Sequence, residues 1–340
     1  MPSRDIITIG ASAGGVEALS TLVGGLPAGL PAAVFVVLHT SPHAASRLPT
    51  LLSMKGPLPA EHAEHGGPIR PGRIVVAPPD RHLIIRPESV ELSRGPKENR
   101  TRPAIDPTFR SAARSFGGRV VGVVLSGTLG DGTAGLMAIK ARGGTAIVQD
   151  PTEALFGDMP RSAIEHVGPH HVLGVGDMPR LLTQLAREPD PDFPGGSSMA
   201  DDFEHDPETV RRDLEAQARD SRRDEPTTYS CPECGGTLWQ FGEGAVAQFR
   251  CHVGHVYSPE SFLVDLTDEL EAALWRCVRM LTEKATISRQ LAADARSRGK
   301  ADQAARFEEQ LDQDEAQIRQ IRQSLLEAAP ARAPLSASGN

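Results

Sequence analysis

Three residue types that together permit nucleophilic hydrolysis stand at equivalent places in this chain. Ser12 lies in "IITIGASAGGVEAL" (6–19), His39 closes "AAVFVVLH" (32–39), and Asp131 follows "VVGVVLSG" (120–127). A serine hydroxyl is a weak nucleophile until a base takes its proton, and an imidazole changes protonation near neutrality. A carboxylate on the other ring nitrogen fixes the tautomer and stabilises the imidazolium that forms. Ala11, Ala13 and Gly14 are small enough to let a carbonyl approach the hydroxyl. Backbone N–H groups of the turn and of the helix start after it are suited to an oxyanion.

Each residue also has a plainer reading. "GASAGG" is not G-x-G-x-x-G, because Ser12 occupies the second glycine position, and no lysine follows as a P-loop requires. A nucleotide loop of another kind stays open on fold grounds. A lone His39 reads as a strand-end residue, and a lone Asp131 before Gly132-Thr133 as a helix cap. Taken jointly, all three fall at the C-terminal ends of strands, which share one edge in a parallel sheet. That joint placement favours the hydrolytic set.

A second constellation lies in "YSCPECGGTLWQFGEGAVAQFRCHVGHVYS" (229–258). Cys231 and Cys234 form a C-x-x-C pair, and "CHVGH" follows with Cys251, His252 and His255. Three thiolates and one imidazole suit a tetrahedral zinc site, here Cys231, Cys234, Cys251 and His255. His255 is preferred to His252 because adjacent ligands strain each other. Four protein ligands leave no open position, so this zinc is expected to be structural, and no cofactor is expected in catalysis. The alternative is a pair of reduced cysteines in a small core. "TLWQFGEGAVAQ" has no Lys or Arg, which argues against nucleic acid.

These residues need elements to position them. The 340 residues carry 44 acidic and 36 basic side chains, a net charge of −8 that speaks against a duplex-binding face. No apolar run reaches bilayer length and no signal-peptide core precedes Ile6, so a cytoplasmic chain without membrane insertion is expected. Apolar β-branched runs alternate with helical stretches from residue 5 to about 185. This predicts an α/β fold, a doubly wound, mainly parallel sheet in three Rossmann-like layers, with an inserted hairpin at 82–93. A Pro-, Gly- and acid-rich stretch then predicts a flexible linker over 187–226. The metal-binding module is expected at 227–258, a helical hairpin at 259–330, and a disordered tail at 331–340. Phe262, Leu266, Leu270, Leu274, Cys277 and Leu281 recur at helical steps and predict the hairpin's buried stripe, with Cys277 and Trp275 packed inside. That hairpin offers a route to a homodimer.

"GASAGG", "VVLHTSPH", "VVAPPDRHLII", "RPAIDPTFRSAA", "VLSGTLGDGTAG" and "FGDMPRSAI" resemble, in order and spacing, the motifs of the CheB family of chemotaxis protein-glutamate methylesterases. The resemblance covers residues 5–185 and assigns a catalytic domain to 1–186. It implies a serine hydrolase that removes methyl groups from glutamate methyl esters on chemoreceptor cytoplasmic helices, releasing methanol, with deamidation of glutamines in some members. By motif it puts the nucleophile at Ser12, the base at His39 and the carboxylate at Asp131. Residues 229–258 resemble a zinc-ribbon-like extension of some such proteins. Ala13 stands where the family commonly has threonine, and Thr128 where it commonly has methionine. The chain starts at the catalytic domain, so control is expected from elsewhere than a preceding receiver domain. The competing expectation is an idle signalling scaffold that binds a partner through the C-terminal modules.

Overall fold

The computed structural model describes residues 4–42, 46–187, 225–241 and 247–328. Most of the expected linker and the expected tail lie outside these residues. Residues 1–262 form one compact unit and 263–340 a second.

The first unit opens with β1 (Ile6–Ala11), α1 (Gly15–Gly24), β2 (Ala33–Leu38), α2 (Leu48–Lys55), β3 (Ala60–His62) and β4 (Ile74–Val76). The hairpin β5 (His82–Ile85) and β6 (Val90–Ser93) follows, then α3 (Ile105–Phe116), β7 (Val120–Val124), α4 (Thr133–Ala141) and β8 (Thr145–Gln149). The units α5 (Asp158–Val167), β9 (His171–Leu173) and α6 (Met178–Arg187) end this part. Seven strands pair in the order β3-β4-β2-β1-β7-β8-β9, all parallel. The doubly wound sheet and the inserted β5–β6 hairpin are therefore as the sequence pattern predicts. β3 and β9 were not legible as strands, because three half-exposed residues carry no alternation.

Every residue of β1, β2 and β7 is buried, which requires apolar side chains on both faces. Ile7, Ile9 and Ala11 pack with Leu19, Leu22 and Leu182 on one side of the sheet. On the other, Phe35, Val37 and Val124 pack with Ile105, Phe109, Leu136 and Met159. Burial of each Val, Leu, Ile, Phe or Met side chain among these contributes about 1.5–3 kcal/mol. Gly10 matters here, since a Cβ on it would fall inside the Ile105 side chain. Its absence lets the start of α3 close over the end of β1.

The same unit contains a small antiparallel sheet of β10 (Glu225–Ser230), β11 (Thr237–Phe241), β12 (Gln248–Cys251) and β13 (Val256–Tyr257). Cys231, Leu238, Phe249, Cys251, Tyr257 and Phe262 form its core.

The remaining helices are α7 (Pro259–Ser297) and α8 (Ala301–Ala328). Ion pairs Lys284–Asp314 (2.9 Å), Arg289–Glu315 (2.8 Å) and Arg296–Glu308 (2.5 Å) run between them in antiparallel register, as expected of a hairpin. The buried stripe differs from the expected one. Cys277 is exposed and Trp275 is 47% exposed, as are Leu266 and Leu270 in part. The seam instead uses Val278, Ala285, Ser288, Ala292 and Ala295, a seven-residue repeat of small side chains. Leu274 and Leu281 of the expected stripe stay half-buried on this seam, whereas Leu266, Leu270 and Cys277 fall off it, because close helix approach favours small residues.

Candidate active site

The sheet reverses its winding between β1 and β7, and ligand sites of open α/β sheets gather at such a reversal. Ser12 leaves β1 there. Gly14, two residues on, has φ 70°, and a Cβ would come within 2.7 Å of Ser126 Oγ and 2.8 Å of Leu155 Cβ. The tight left-handed turn thus needs glycine, and it presents Ser12 ahead of α1. The Ser12 amide is held by the Ser126 carbonyl at 2.9 Å. His39 leaves the neighbouring strand β2, its amide donating to Ala11 O at 3.2 Å. Asp131 comes from the loop after β7.

The three side chains meet. Ser12 Oγ lies 3.1 Å from His39 Nδ1, and His39 Nε2 lies 2.7 Å from Asp131 Oδ2. With Nε2–H donating to the carboxylate, Nδ1 is left to accept from the Ser12 hydroxyl. Ser12, His39 and Asp131 line one cleft of about 290 Å³ together with Asn99, Arg100, Thr101, Thr128 and Leu129.

Asp131 is 2% exposed and accepts five hydrogen bonds. Oδ2 takes His39 Nε2 and the Ile105 amide (2.7 Å); Oδ1 takes Asn99 Nδ2 (2.9 Å) and the amides of Gly132 (2.9 Å) and Asp106 (3.2 Å). The Ile105 and Asp106 amides belong to the first turn of α3, whose N–H groups have no partner within the helix and where an anion is favoured. Burial by itself pushes the Asp131 carboxyl up. The His39 hydrogen bond and charge, the Ile105 amide and Asn99 outweigh it and hold the group low, at about 2.

Two participants escaped the sequence reading. Asp106, 1% exposed, accepts from the Gly135 amide (2.6 Å) and from Asn99 Nδ2 (3.1 Å). Burial, and then the adjacent Asp131 charge, raise its carboxyl to about 8. Asn99 is 4% exposed at φ 48°, a conformation that asparagine tolerates better than most residues. The only sequence signal was an asparagine just ahead of "RPAID".

The metal-type cluster also assembles. Cys231, Cys234, Cys251 and His255 bring their ligand atoms within 4.8 Å of one another. Cys231 Sγ–His255 Nδ1 is 3.6 Å, Cys251 Sγ–His255 Nδ1 3.5 Å and Cys234 Sγ–Cys251 Sγ 3.7 Å. A tetrahedron with metal–ligand bonds of about 2.0–2.3 Å has edges of roughly 3.3–3.8 Å, so the donor set fits such an ion. The His255 amide points at Cys251 Sγ (3.3 Å), as amides do toward thiolates. This cluster could hold a metal ion.

Residues 7–182 match the family model described as CheB methylesterase. A protein-glutamate methylesterase/protein-glutamine glutaminase of Anaeromyxobacter dehalogenans is 40% identical over 184 residues, 54% of each chain. A putative protein of the same description from Leptospira interrogans is 35% identical over 182 residues, 53% of this chain and 94% of that one. The crystal structure of the Thermotoga maritima CheB methylesterase catalytic domain superposes with a TM-score of 0.52 at 33% identity, covering 53% of this chain and 98% of that chain. The matched region spans about half the length of the Anaeromyxobacter relative and of a Methanosarcina mazei relative.

Proposed function

This chain belongs to the CheB methylesterase family, and we propose that it is a serine hydrolase that cleaves glutamate methyl esters on chemoreceptor-like proteins in the cytoplasm. The observation that carries this reading is the continuous relay from Ser12 Oγ through His39 to Asp131 in an open cleft. His39 Nδ1 takes the Ser12 proton as Oγ attacks the ester carbonyl. Backbone amides of the turn after β1 stabilise the oxyanion. The imidazolium returns the proton to the departing methoxide, which leaves as methanol. Water then attacks the acyl-serine with His39 again as base, giving the glutamate carboxylate and free Ser12. A glutamine side chain enters the same sequence and releases ammonia, so deamidation needs no additional group. Thr128 and Leu129 at the cleft wall set the fit of the side chain that carries the ester.

The substrate surface is the cytoplasmic helix bundle of a methylated receptor, and the α7–α8 hairpin provides a homodimer contact. Cys231, Cys234, Cys251 and His255 hold a zinc ion, which cross-links the small sheet and takes no part in the chemistry. The experiment is methanol release from a methylated receptor fragment, with fluorophosphonate labelling in parallel. Ser12→Ala is expected to lose both while retaining the parental thermal melt. A variant that keeps near-parental turnover would remove Ser12 as nucleophile, and a parent that never turns over would favour the idle scaffold.

A further inference from the structure

The cysteine-histidine module makes a bonded connection to the Asp131 carboxylate, and one side chain carries it. On the catalytic side, Asn99 Nδ2 donates to Asp131 Oδ1 (2.9 Å) and to Asp106 Oδ2 (3.1 Å). On the module side, Asn99 Oδ1 accepts from the Ser258 amide (2.9 Å) and lies 3.2 Å from Ser261 Oγ. Its backbone is gripped as well, because the Asn99 amide donates to Val256 O (2.8 Å) and the Val256 amide donates to Lys97 O (3.3 Å). The 97–99 segment therefore pairs with β13 like an added strand, and Lys97–Glu233 (2.6 Å) closes its other end.

The module's grip on Asn99 descends directly from the metal cluster. His255 immediately precedes β13, and Ser258 follows it as the N-cap of α7, with the Ser261 amide on its hydroxyl at 3.2 Å. Tyr257, between them, is 1% exposed and packs its hydroxyl 3.6 Å from Cys231 Sγ. A carboxamide can turn about its last torsion, and donors that hold its oxygen oppose that turn and keep its NH2 on the Asp131 and Asp106 carboxylates. Here the holders are Ser258 and Ser261. A small sheet with a six-residue core does not stay folded without its ion, by the usual behaviour of such modules.

We propose that Asn99 is a positioning residue that aligns Asp131 behind His39, and that the metal-loaded 225–262 module locks Asn99 in that orientation. The inference rests on the hydrolase reading for its kinetic consequence only. Metal occupancy at residues that do not line the cleft would then set the turnover of Ser12.

The test uses the full chain and three readouts: kcat and KM on a methyl ester, metal content, and the low-field proton resonance of the His39 Nε2–H···Asp131 bond. Asn99→Ala is expected to lower kcat about tenfold, the scale of one hydrogen bond to a charged group, with KM unchanged. It should shift the His39 proton upfield and leave one metal per chain. Chelating the parent should reproduce both the kinetic and the spectral change, and chelating Asn99→Ala should add nothing further. Parental kcat and parental resonance in Asn99→Ala overturn the proposal. So does chelation that slows Asn99→Ala by the same factor as the parent, since the module would then act by another route. Should Asn99→Ala not fold, Ser261→Ala decides: a smaller loss of the same kind supports the coupling, and parental values overturn it. If the parent releases no methanol, the hydrolase reading has failed, and the His39 resonance still reports whether Asn99 and the metal act on Asp131.

Discussion

The carboxylates of Asp106 and Asp131 share one donor, the Asn99 amide, at 3.1 and 2.9 Å. Two buried carboxylates beside one NH2 group are driven apart in proton affinity. Asp131 has five donors, the His39 ring among them, and stays ionised; Asp106 is raised to about 8. An unfolded aspartate releases its proton near pH 4. Between about pH 4 and pH 8 the folded chain therefore keeps a proton on Asp106 that the unfolded chain has lost, and this contribution to stability falls as pH rises. Asp131 behaves oppositely, contributing above about pH 4 and losing its contribution as pH falls toward 2. From pH 5.5 to 8.5, only Asp106 of the pair changes. Asp106→Asn is expected to remove that slope, so the melting temperature of the variant relative to the parent should rise between these two pH values. A constant difference would mean that Asp106 is ionised throughout.

The donor census around Asp131 also predicts the outcome of Asp131→Asn. Three donors face Oδ1 and two face Oδ2. The single amide oxygen of the variant will take the side with three donors, which turns its NH2 group toward His39. Nε2 must then accept, the ring hydrogen moves to Nδ1, and Nδ1 can no longer take the proton of Ser12. The expected loss in kcat is about 10³–10⁴, with little change in KM. Steady-state kinetics on a methyl ester check this, and ring-nitrogen NMR of the variant should show the hydrogen on Nδ1.

Ser12, His39 and Asp131 were legible because each follows an apolar strand, and the parallel sheet brings strand ends to one edge regardless of the intervening sequence. Asn99 and Asp106 were not. They reach Asp131 from a segment that is no part of the sheet, across contacts that only the closure of α3 onto Gly10 creates. The link from Asn99 to Ser258 joins residues 159 positions apart. Nothing local marks it, and an acid-rich stretch between the two halves reads as a tether for an independent module. The four metal-type ligands were legible, since their spacing is itself the constraint. The hairpin's existence could be read from periodicity, but its seam could not, because Ala285, Ala292 and Ala295 weigh little on any hydrophobic scale.

The four cysteines offer a count that tests the metal cluster and the corrected hairpin together. Cys231, Cys234 and Cys251 belong to the cluster, while Cys277 is exposed on α7. A thiolate bound to an ion is a poor nucleophile toward alkylating reagents, whereas an exposed free thiol reacts through its thiolate fraction. The metal-loaded protein is therefore expected to show one readily reactive thiol per chain, abolished by Cys277→Ser. That substitution sits away from any buried contact and should change stability by no more than about 0.5 kcal/mol. Chelation should raise the count to four, because Cys234 is exposed and the other two lose the fold that buries them. Paired Cys231→Ser and Cys234→Ser should abolish metal binding and melt residues 225–262 without unfolding the parallel sheet. A chain with three or four reactive thiols as purified, and no metal by elemental analysis, would mean that the cluster holds no ion.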